Sequence, residues 1–305
     1  MSPSPLVAVV GASGGLGAST LALAVGRRLA ARAGPPVVVA DLAQCSGGLE
    51  VTAGVEHLPG RRWSDLREVR GRVPARRLVG TLPGEGGCHV LSGAPGAGGG
   101  ASGVGGGVAG VGGGVAGVGG GASGVGGGVA VEAVVEVLAS LDDGGVPCVL
   151  DLPVASPLVP EVVGRAPVVA LLVALRTRGV ADAEAAVERL LAAVPDTATR
   201  DPDLFLVTRG GRAATDVLDD VAAHLGVRHL HHLRDDEGVA RDAERGLFPG
   251  VSRDAMRRCA DEVVAALGGV GVVGSTGVGG LDATDGRRAG PGRGRRGRRS
   301  PVGAT

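Results

Sequence analysis

Residues 6–20 read LVAVVGASGGLGAST, and their order decides the fold. The five apolar residues at 6–10 are strand-length and show no polar alternation, the pattern of a strand buried on both faces. Glycines at 11, 14, 15 and 17 follow, and Ala18-Ser19-Thr20 then opens a helical pattern that runs to about residue 33. A strand, a glycine-rich turn and a helix start, in that sequence, gather backbone N–H groups at a helix N-terminus, where they can converge on phosphate oxygens. The segment predicts the opening of a nucleotide-binding α/β domain.

The same grammar repeats outward from this point. Apolar runs at 37–41 (VVVAD), 88–92 (CHVLS), 148–152 (CVLDL), 168–174 (VVALLVA) and 204–208 (LFLVT) read as strands, and VRHLHHL at 227–233 as a weaker one. Helical patterns fall near 19–33, 64–70, 130–141, 179–193, 213–225 and 252–267. Near-continuous apolar strands alternating with amphipathic helices predict a doubly wound, mostly parallel sheet covered on both faces. In such a sheet the ligand lies at the carboxyl ends of the strands.

Two stretches stand outside this pattern. In 96–128, 20 of 33 residues are Gly and a seven-residue unit recurs as GVGGGVA or GVGGGAS. Three consecutive glycines per unit defeat the coiled coil that such a period suggests, and a flexible insert is expected. From about 268 the chain is again Gly-rich and carries seven Arg against Asp282 and Asp285. A disordered tail is expected there, solvated in the plainer reading and drawn to anionic lipid or nucleic acid in the other. One domain over 1–267, interrupted by the insert and followed by the tail, accounts for the whole chain.

Composition sets further bounds. Gly numbers 59 of 305 residues, all 31 basic residues are Arg, and Lys, Asn, Ile and Tyr are absent, a bias that points to a GC-rich coding genome. The cysteines, at 45, 88, 148 and 259, are too scattered for a staple or a C-x-x-C site and read as reduced thiols of a cytoplasmic protein. The N-terminus lacks a basic n-region, and no apolar run is long enough to span a bilayer.

The run GASGGLG at 11–17 resembles the opening of short-chain dehydrogenases, with Asp41 placed where a ribose hydroxyl would be held. That family's chemistry rests on a Tyr-x-x-x-Lys pair, and the chain contains neither residue type. What remains of that resemblance is an NAD(P)-binding protein without the chemistry. The loop also resembles that of the deviant Walker ATPases, the MinD and ParA superfamily, which reads K-G-G-x-G-K-[ST]-[ST]. Gly14, Gly15, Gly17, Ser19 and Thr20 match it. VVVADLA and CVLDLP resemble the superfamily's two acidic strand ends, and LRDDEGVARDAERG at 233–246 its late acidic loop and helix, without the proline. More narrowly, GGLGAST, GGLEVTAGVE and RRWSDL are similar to phrases of the septum-site-determining (Ssd) and CpaE-like branch of actinobacteria.

This resemblance implies a P-loop fold that binds ATP or ADP with Mg²⁺. The nucleotide would be contacted by Gly14, Gly15, Gly17, Ala18, Ser19 and Thr20, and by Arg209, which stands in VTRG where relatives often place a base-reading Asn. The magnesium-associated groups would be Ser19, Asp41 and Asp151. The implied role is spatial regulation of the division septum or of a Tad-type pilus secretion machine. It would act through a homodimer and a membrane-associated partner, at the inner face of the plasma membrane. A nucleotide-binding scaffold without turnover is the alternative.

Three departures bear on that chemistry. Ser13 and Ala18 stand where the family has lysines, and Ala43 replaces the second acid of its D-x-D strand end. One lost charge-assisted hydrogen bond, worth about 1.5–3 kcal/mol, weakens binding roughly 10- to 100-fold. Phosphoryl transfer depends on such charges still more, so turnover is expected to be poor or absent. Arg27 and Arg28 lie too far along the helix to substitute: nine residues at about 1.5 Å each.

Other features have plainer readings. In HLHHL, His229 and His231 are expected to share one strand face, and no Cys or acidic ligand is tied to them by spacing. Trp63, Leu66 and Val69 recur every three residues as the core stripe of an Arg-rich helix. The last helix, with Met256, Val263, Val264 and Leu267, suits either a membrane surface or the sheet. No Ser-His-Asp or Cys-His arrangement can be argued from spacing, and no catalytic residue is assigned.

Overall fold

The strand that opens the chain lies inside the sheet. In the structure, a computed structural model, the described residues are 5–270 apart from 35, 44–47, 94–128, 197, 199 and 200. The glycine-rich insert, Cys45 and all but the first three residues of the expected tail fall outside them. β1 (Leu6–Gly11) is buried from Leu6 to Val10 and pairs in parallel with β5 (Cys148–Pro153) on one side and β6 (Val168–Ala174) on the other. β2 (Val37–Asp41) pairs with β5, not with β1, and β4 (Cys88–Leu91) lies beyond it. β7 (Asp203–Gly210) and β8 (Arg228–Arg234) extend the sheet past β6, and β3 (Gly84–Glu85) adds a short antiparallel edge next to β4. The order is β3-β4-β2-β5-β1-β6-β7-β8.

This order decides between the two resemblances of the loop. In the dinucleotide-binding sheet the first two strands are neighbours, so the acid ending the second can reach a ribose beside the first loop. Here β5 is interposed, and Asp151 rather than Asp41 lies on the strand next to the loop's own. The sheet is not that of a dehydrogenase.

Alternate side chains of β1 feed two cores, as the two-residue repeat of a strand requires. Ala8 and Val10 face a layer built from α3 (Ala75–Val79), α4 (Val131–Asp143), α5 (Val159–Val163) and α6 (Thr177–Ala192), with Leu225 of α7 (Thr215–Leu225) at its margin. Val7 and Val9 face α1 (Ala18–Ala33), α2 (Gly48–Thr52) and α9 (Ala255–Val270). α1 lies close on the sheet because residue 26 is Gly: a Cβ there would stand 2.2 Å from Val39 Cγ2. Met256, Cys259, Ala260, Val263 and Val264 of α9 are buried against this layer, so the apolar face of the last helix covers the sheet. No helix among the described residues is long and apolar enough to cross a membrane.

Two expectations need correction. The segment at 64–70 is not an α-helix but a single 3₁₀ turn, Trp63–Leu66, whose three-residue period is the spacing of its apolar side chains. The turn is tied to α2 by an ion pair between Arg62 and Glu50, whose residues are 8% and 0% exposed. The second correction concerns the histidines. The β7–β8 register shifts between Leu206 and Val207, which pair with His229 and His231, so β8 carries one extra residue. A bulge of this kind brings residues three apart onto one face. His229 Nε2 and His232 Nδ1 therefore both meet the Thr208 hydroxyl, at 3.0 and 2.9 Å, while His231 Nδ1 pairs with Glu262 Oε1 of α9 at 3.0 Å. Burial, then the neighbouring imidazoles of His232 and His231, holds His229 below the usual histidine range.

The thiols of Cys88, Cys148 and Cys259 are free and buried, and burial pushes each up to about 12.

Candidate functional site: a glycine loop over two buried carboxylates

The carboxyl ends of β1, β2, β5, β7 and β8 meet around a cleft of about 670 Å³, within the size range of ligand pockets, roughly 300–1,000 Å³. One wall is the loop of residues 11–17. Gly15 and Gly17 have positive φ, 76° and 85°, and Gly17 is the residue from which α1 starts. A side chain at 17 would be strained by that φ, and its Cβ would also stand 2.9 Å from Arg209 Nη1. The first turn of α1 holds no acidic residue, so nothing in that turn offsets the partial positive charge of the helix start.

The floor is acidic. Asp41 ends β2 and Asp151 lies two residues before the end of the adjacent β5; they stand opposite each other in register, 3% and 9% exposed. The Ala43 N–H donates to Asp41 Oδ1 at 2.8 Å, and the Ser92 hydroxyl approaches Oδ2 at 3.4 Å. Trp63 Nε1 donates to the Asp41 carbonyl at 2.7 Å, and the Trp63 N–H to the Ser92 carbonyl at 2.9 Å. The Ser19 hydroxyl hydrogen-bonds the Asp151 carboxylate. Burial raises the Asp151 carboxyl to about 6; the bond from Ser19 opposes the rise and the charge of Asp41 adds to it.

The sequence-selected residues separate as follows. Gly14, Gly15, Gly17, Ala18, Ser19, Thr20, Asp151 and Arg209 all line the cleft, as do Ser13 and Ala43. Asp41 sits just beneath, bonded to Ala43. Arg27 and Arg28 are engaged elsewhere, with the Glu85 carbonyl and Asp261. Arg209 is anchored at both ends of its guanidinium: Nη1 donates to the Leu16 carbonyl at 2.7 Å and Nε to Asp235 Oδ1 at 3.0 Å. The far wall is α8 (Glu237–Glu244), started by Asp236, whose Oδ1 accepts from the Gly238 N–H at 2.8 Å. Sequence reasoning missed Trp63 and Ser92 as supports of Asp41. The signal for Trp63 was its being the chain's single Trp, next to an Arg and an acid.

Trp63→Phe is expected to cost about 1–3 kcal/mol, through the lost hydrogen bond to Asp41 and the smaller ring. A fall in the chemical-denaturation midpoint with unchanged slope checks it.

A glycine-rich loop between β1 and α1, with β5 between β1 and β2, defines the P-loop NTPase fold of MinD and ParA type. A ParA family ATPase from Chlorobium tepidum superposes with a TM-score of 0.64 at 11% identity, over 86% of this chain and 98% of that one. The MinD cell division protein of Aquifex aeolicus gives 0.60 at 14%, over 87% and 97%. The septum site-determining protein MinD of Pyrococcus horikoshii, complexed with Mg-ADP, gives 0.57 at 12%, over 88% and 98%. In sequence, an uncharacterized protein of Mycobacterium tuberculosis is 39% identical over 88 residues, 29% of this chain. That match spans about a quarter of the relative's length, 24%. No protein-family model matches the chain.

Proposed function

We propose that this chain is a nucleotide-binding spatial regulator of the MinD/ParA superfamily, of the septum-site-determining and CpaE-like branch. It takes ATP or ADP with Mg²⁺ in the cleft between the glycine loop and α8 and turns the nucleotide over poorly or not at all. The observation that carries this reading is the joint position of the loop and the carboxylate pair. Backbone N–H groups at the start of α1 face one side of the cleft, and Ser19, Asp151 and Asp41 form an oxygen-only cluster at its base.

The cluster suits a hard cation. Among the described residues no group of three or more His, Cys, Asp or Glu could hold a metal, so the protein's own donors are too few for a closed cage. Magnesium is ordinarily held by one or two carboxylates together with water and phosphate oxygens, and that arrangement fits here. Bound at this place it would supply positive charge against the phosphates. Ser19 and Asp151 would orient it, and the carboxyl of Asp151, raised to about 6, would ionise more readily beside it.

What argues against efficient hydrolysis is equally local. Ala18 is the first residue of α1 and brings no cation to the loop, and Ala43 offers only its backbone N–H to Asp41. Without those charges on the loop and the second strand end, the charge stabilisation on which phosphoryl transfer depends is reduced. The assignment to septum or pilus positioning rests on the resemblance of the phrases at 14–20, 47–56 and 61–66. Dimerisation, and a membrane-associated partner, would follow from it.

Titration of the purified protein with ATP, ADP and NADPH, each with and without Mg²⁺, tests the reading. Magnesium-dependent binding of an adenine nucleotide is expected, with no NADPH binding. Tight NADPH binding alone would overturn it, and steady-state ATPase activity abolished by Asp151→Ala would overturn the statement on turnover.

A further inference from the structure

A second cavity lies at the other end of the same strands. The cleft beside the glycine loop stands at the carboxyl ends of β2 and β5. This one, of about 560 Å³, opens at their amino ends, where the start of β2, β4, α3 and the turn from α4 into β5 meet. The five residues of β2 separate the two, about 15 Å of extended chain. Pro36, Val79 and Val146 give the cavity an apolar lining, the two valines being buried. Glycine backbone at 144 and 145 completes the wall, and α3 lies so close that a Cβ on Gly144 would stand 2.2 Å from Ala75 Cβ.

Two polar side chains also line this cavity, and both have hydrogen-bonding capacity to spare. A guanidinium carries five N–H donors in a planar fork. Among the described residues those of Arg76 meet no acceptor. Glu136 and Asp143 of the neighbouring α4 are taken by Arg72, at 3.9 and 3.4 Å, and no ion pair joins Arg76 to Asp142. His89 is half-buried on β4, with Nδ1 at 3.3 Å from the Leu82 carbonyl. A carbonyl only accepts, so Nδ1 carries the hydrogen and Nε2 of the neutral ring is an acceptor. Nε2 has no partner among the described residues. The last turn of α4 adds little negative polarity here. The carbonyls of Ser140, Leu141 and Asp142 already accept from the N–H groups of Gly144, Val146 and Gly145.

We propose that this cavity is a second ligand site, independent of the nucleotide cleft, and that it takes a small organic acid. The carboxylate meets the Arg76 fork, a hydroxyl donates to His89 Nε2, and an apolar body covers Pro36, Val79 and Val146. A guanidinium matches a carboxylate bidentately. A mostly apolar cavity of this volume with a few polar groups is the usual form of a small-molecule site. Charge sets the class: an arginine without a counter-ion beside an apolar lining favours an anion over a neutral or cationic ligand. The imidazole acceptor narrows it to an acid that also carries a hydrogen-bond donor.

Three probes test this by calorimetry: para-hydroxyphenylacetate, phenylacetate, which lacks the hydroxyl, and para-hydroxyphenylethanol, which lacks the charge. Each is titrated into the wild-type chain and into Arg76→Gln, Arg77→Gln and His89→Phe, with and without saturating Mg-ATP. Melting temperatures of the ligand-free proteins report folding. Arg77 is exposed on the same helix and does not line the cavity, so it controls for charge alone. Saturable binding of para-hydroxyphenylacetate is expected, weakened about 10- to 100-fold in Arg76→Gln and unchanged in Arg77→Gln. In His89→Phe the preference for the hydroxylated acid over phenylacetate, about 2- to 10-fold in the wild type, should vanish. Absence of saturable binding would overturn the proposal, as would equal losses in the Arg76 and Arg77 variants. The alcohol binding as tightly as the acid would overturn the assignment to an anion. Displacement of the probe by Mg-ATP would put it in the cleft and overturn the second site, with the nucleotide reading left standing.

Discussion

Replacing Arg62 by Ala is expected to destabilise the protein by about 3–5 kcal/mol, because it strands a buried carboxylate. Glu50 is fully buried on α2 and its Oε1 has no hydrogen-bond partner. Arg62 is its counter-ion, and donates as well to the carbonyls of Gly60 and Leu58 at 2.8 and 3.2 Å. Burial already raises the Glu50 carboxyl, and the Arg62 charge opposes that rise. The folded state therefore holds the Glu50 proton more tightly than the unfolded state does. The sign follows: this group's contribution to stability falls as pH increases from the unfolded carboxylate range toward the raised folded value. Without Arg62 the folded value climbs further, so the cost of the substitution should be larger near pH 8 than near pH 5. Denaturant midpoints at the two pH values measure this. Adding Glu50→Gln to Arg62→Ala should recover part of the loss, since the stranded charge is then gone. A single variant within about 0.5 kcal/mol of wild type at both pH values would show that the pair is not buried in solution.

The second large effect has the opposite direction. Asp151→Asn is expected to stabilise the ligand-free protein at neutral pH while abolishing magnesium-dependent nucleotide binding. The Asp151 carboxyl stands at about 6 against an ordinary 3.8. A displacement of about two units corresponds to at most ~3 kcal/mol of disfavoured charge. That burden is absent below about pH 4, where the group is protonated in both states, and complete above about pH 6. Asn removes it, so the variant's advantage should open as pH rises through this window. Thermal melts across it, repeated with Mg-ADP, report both halves at once. Wild type should gain stability from the ligand and the variant should not. A variant less stable than wild type at pH 7, or one still stabilised by Mg-ADP, would contradict the assigned role.

These two sites also show where the sequence was legible. Glycine spacing and two acids at the ends of apolar runs are local signals, and they located the loop, the strands and the carboxylate floor. The strands were readable because burial on both faces demands continuous Val, Leu and Ala, a demand that each segment meets by itself. What escaped was pairing between distant segments. No local pattern says that β5 lies between β1 and β2, that Trp63 reaches the carbonyl of Asp41, or that Arg209 bridges to Leu16. The short helices α2, α3 and α5, five residues each, were missed because one turn and a half carries too little periodicity to be distinguished from a loop. The histidines were misassigned because one extra residue inverts the alternation of a strand, and that residue, Leu230, has no unusual chemistry.

The bulge in β8 has a consequence for how copies of this chain can meet. An outermost strand offers an unpaired row of N–H and C=O groups that a second molecule can extend into a continuous ribbon. Here that strand is interrupted at Leu230 and flanked by exposed Arg228 and Arg234, while the opposite margin is closed by the two residues of β3. Neither margin is a good template for intermolecular strand addition.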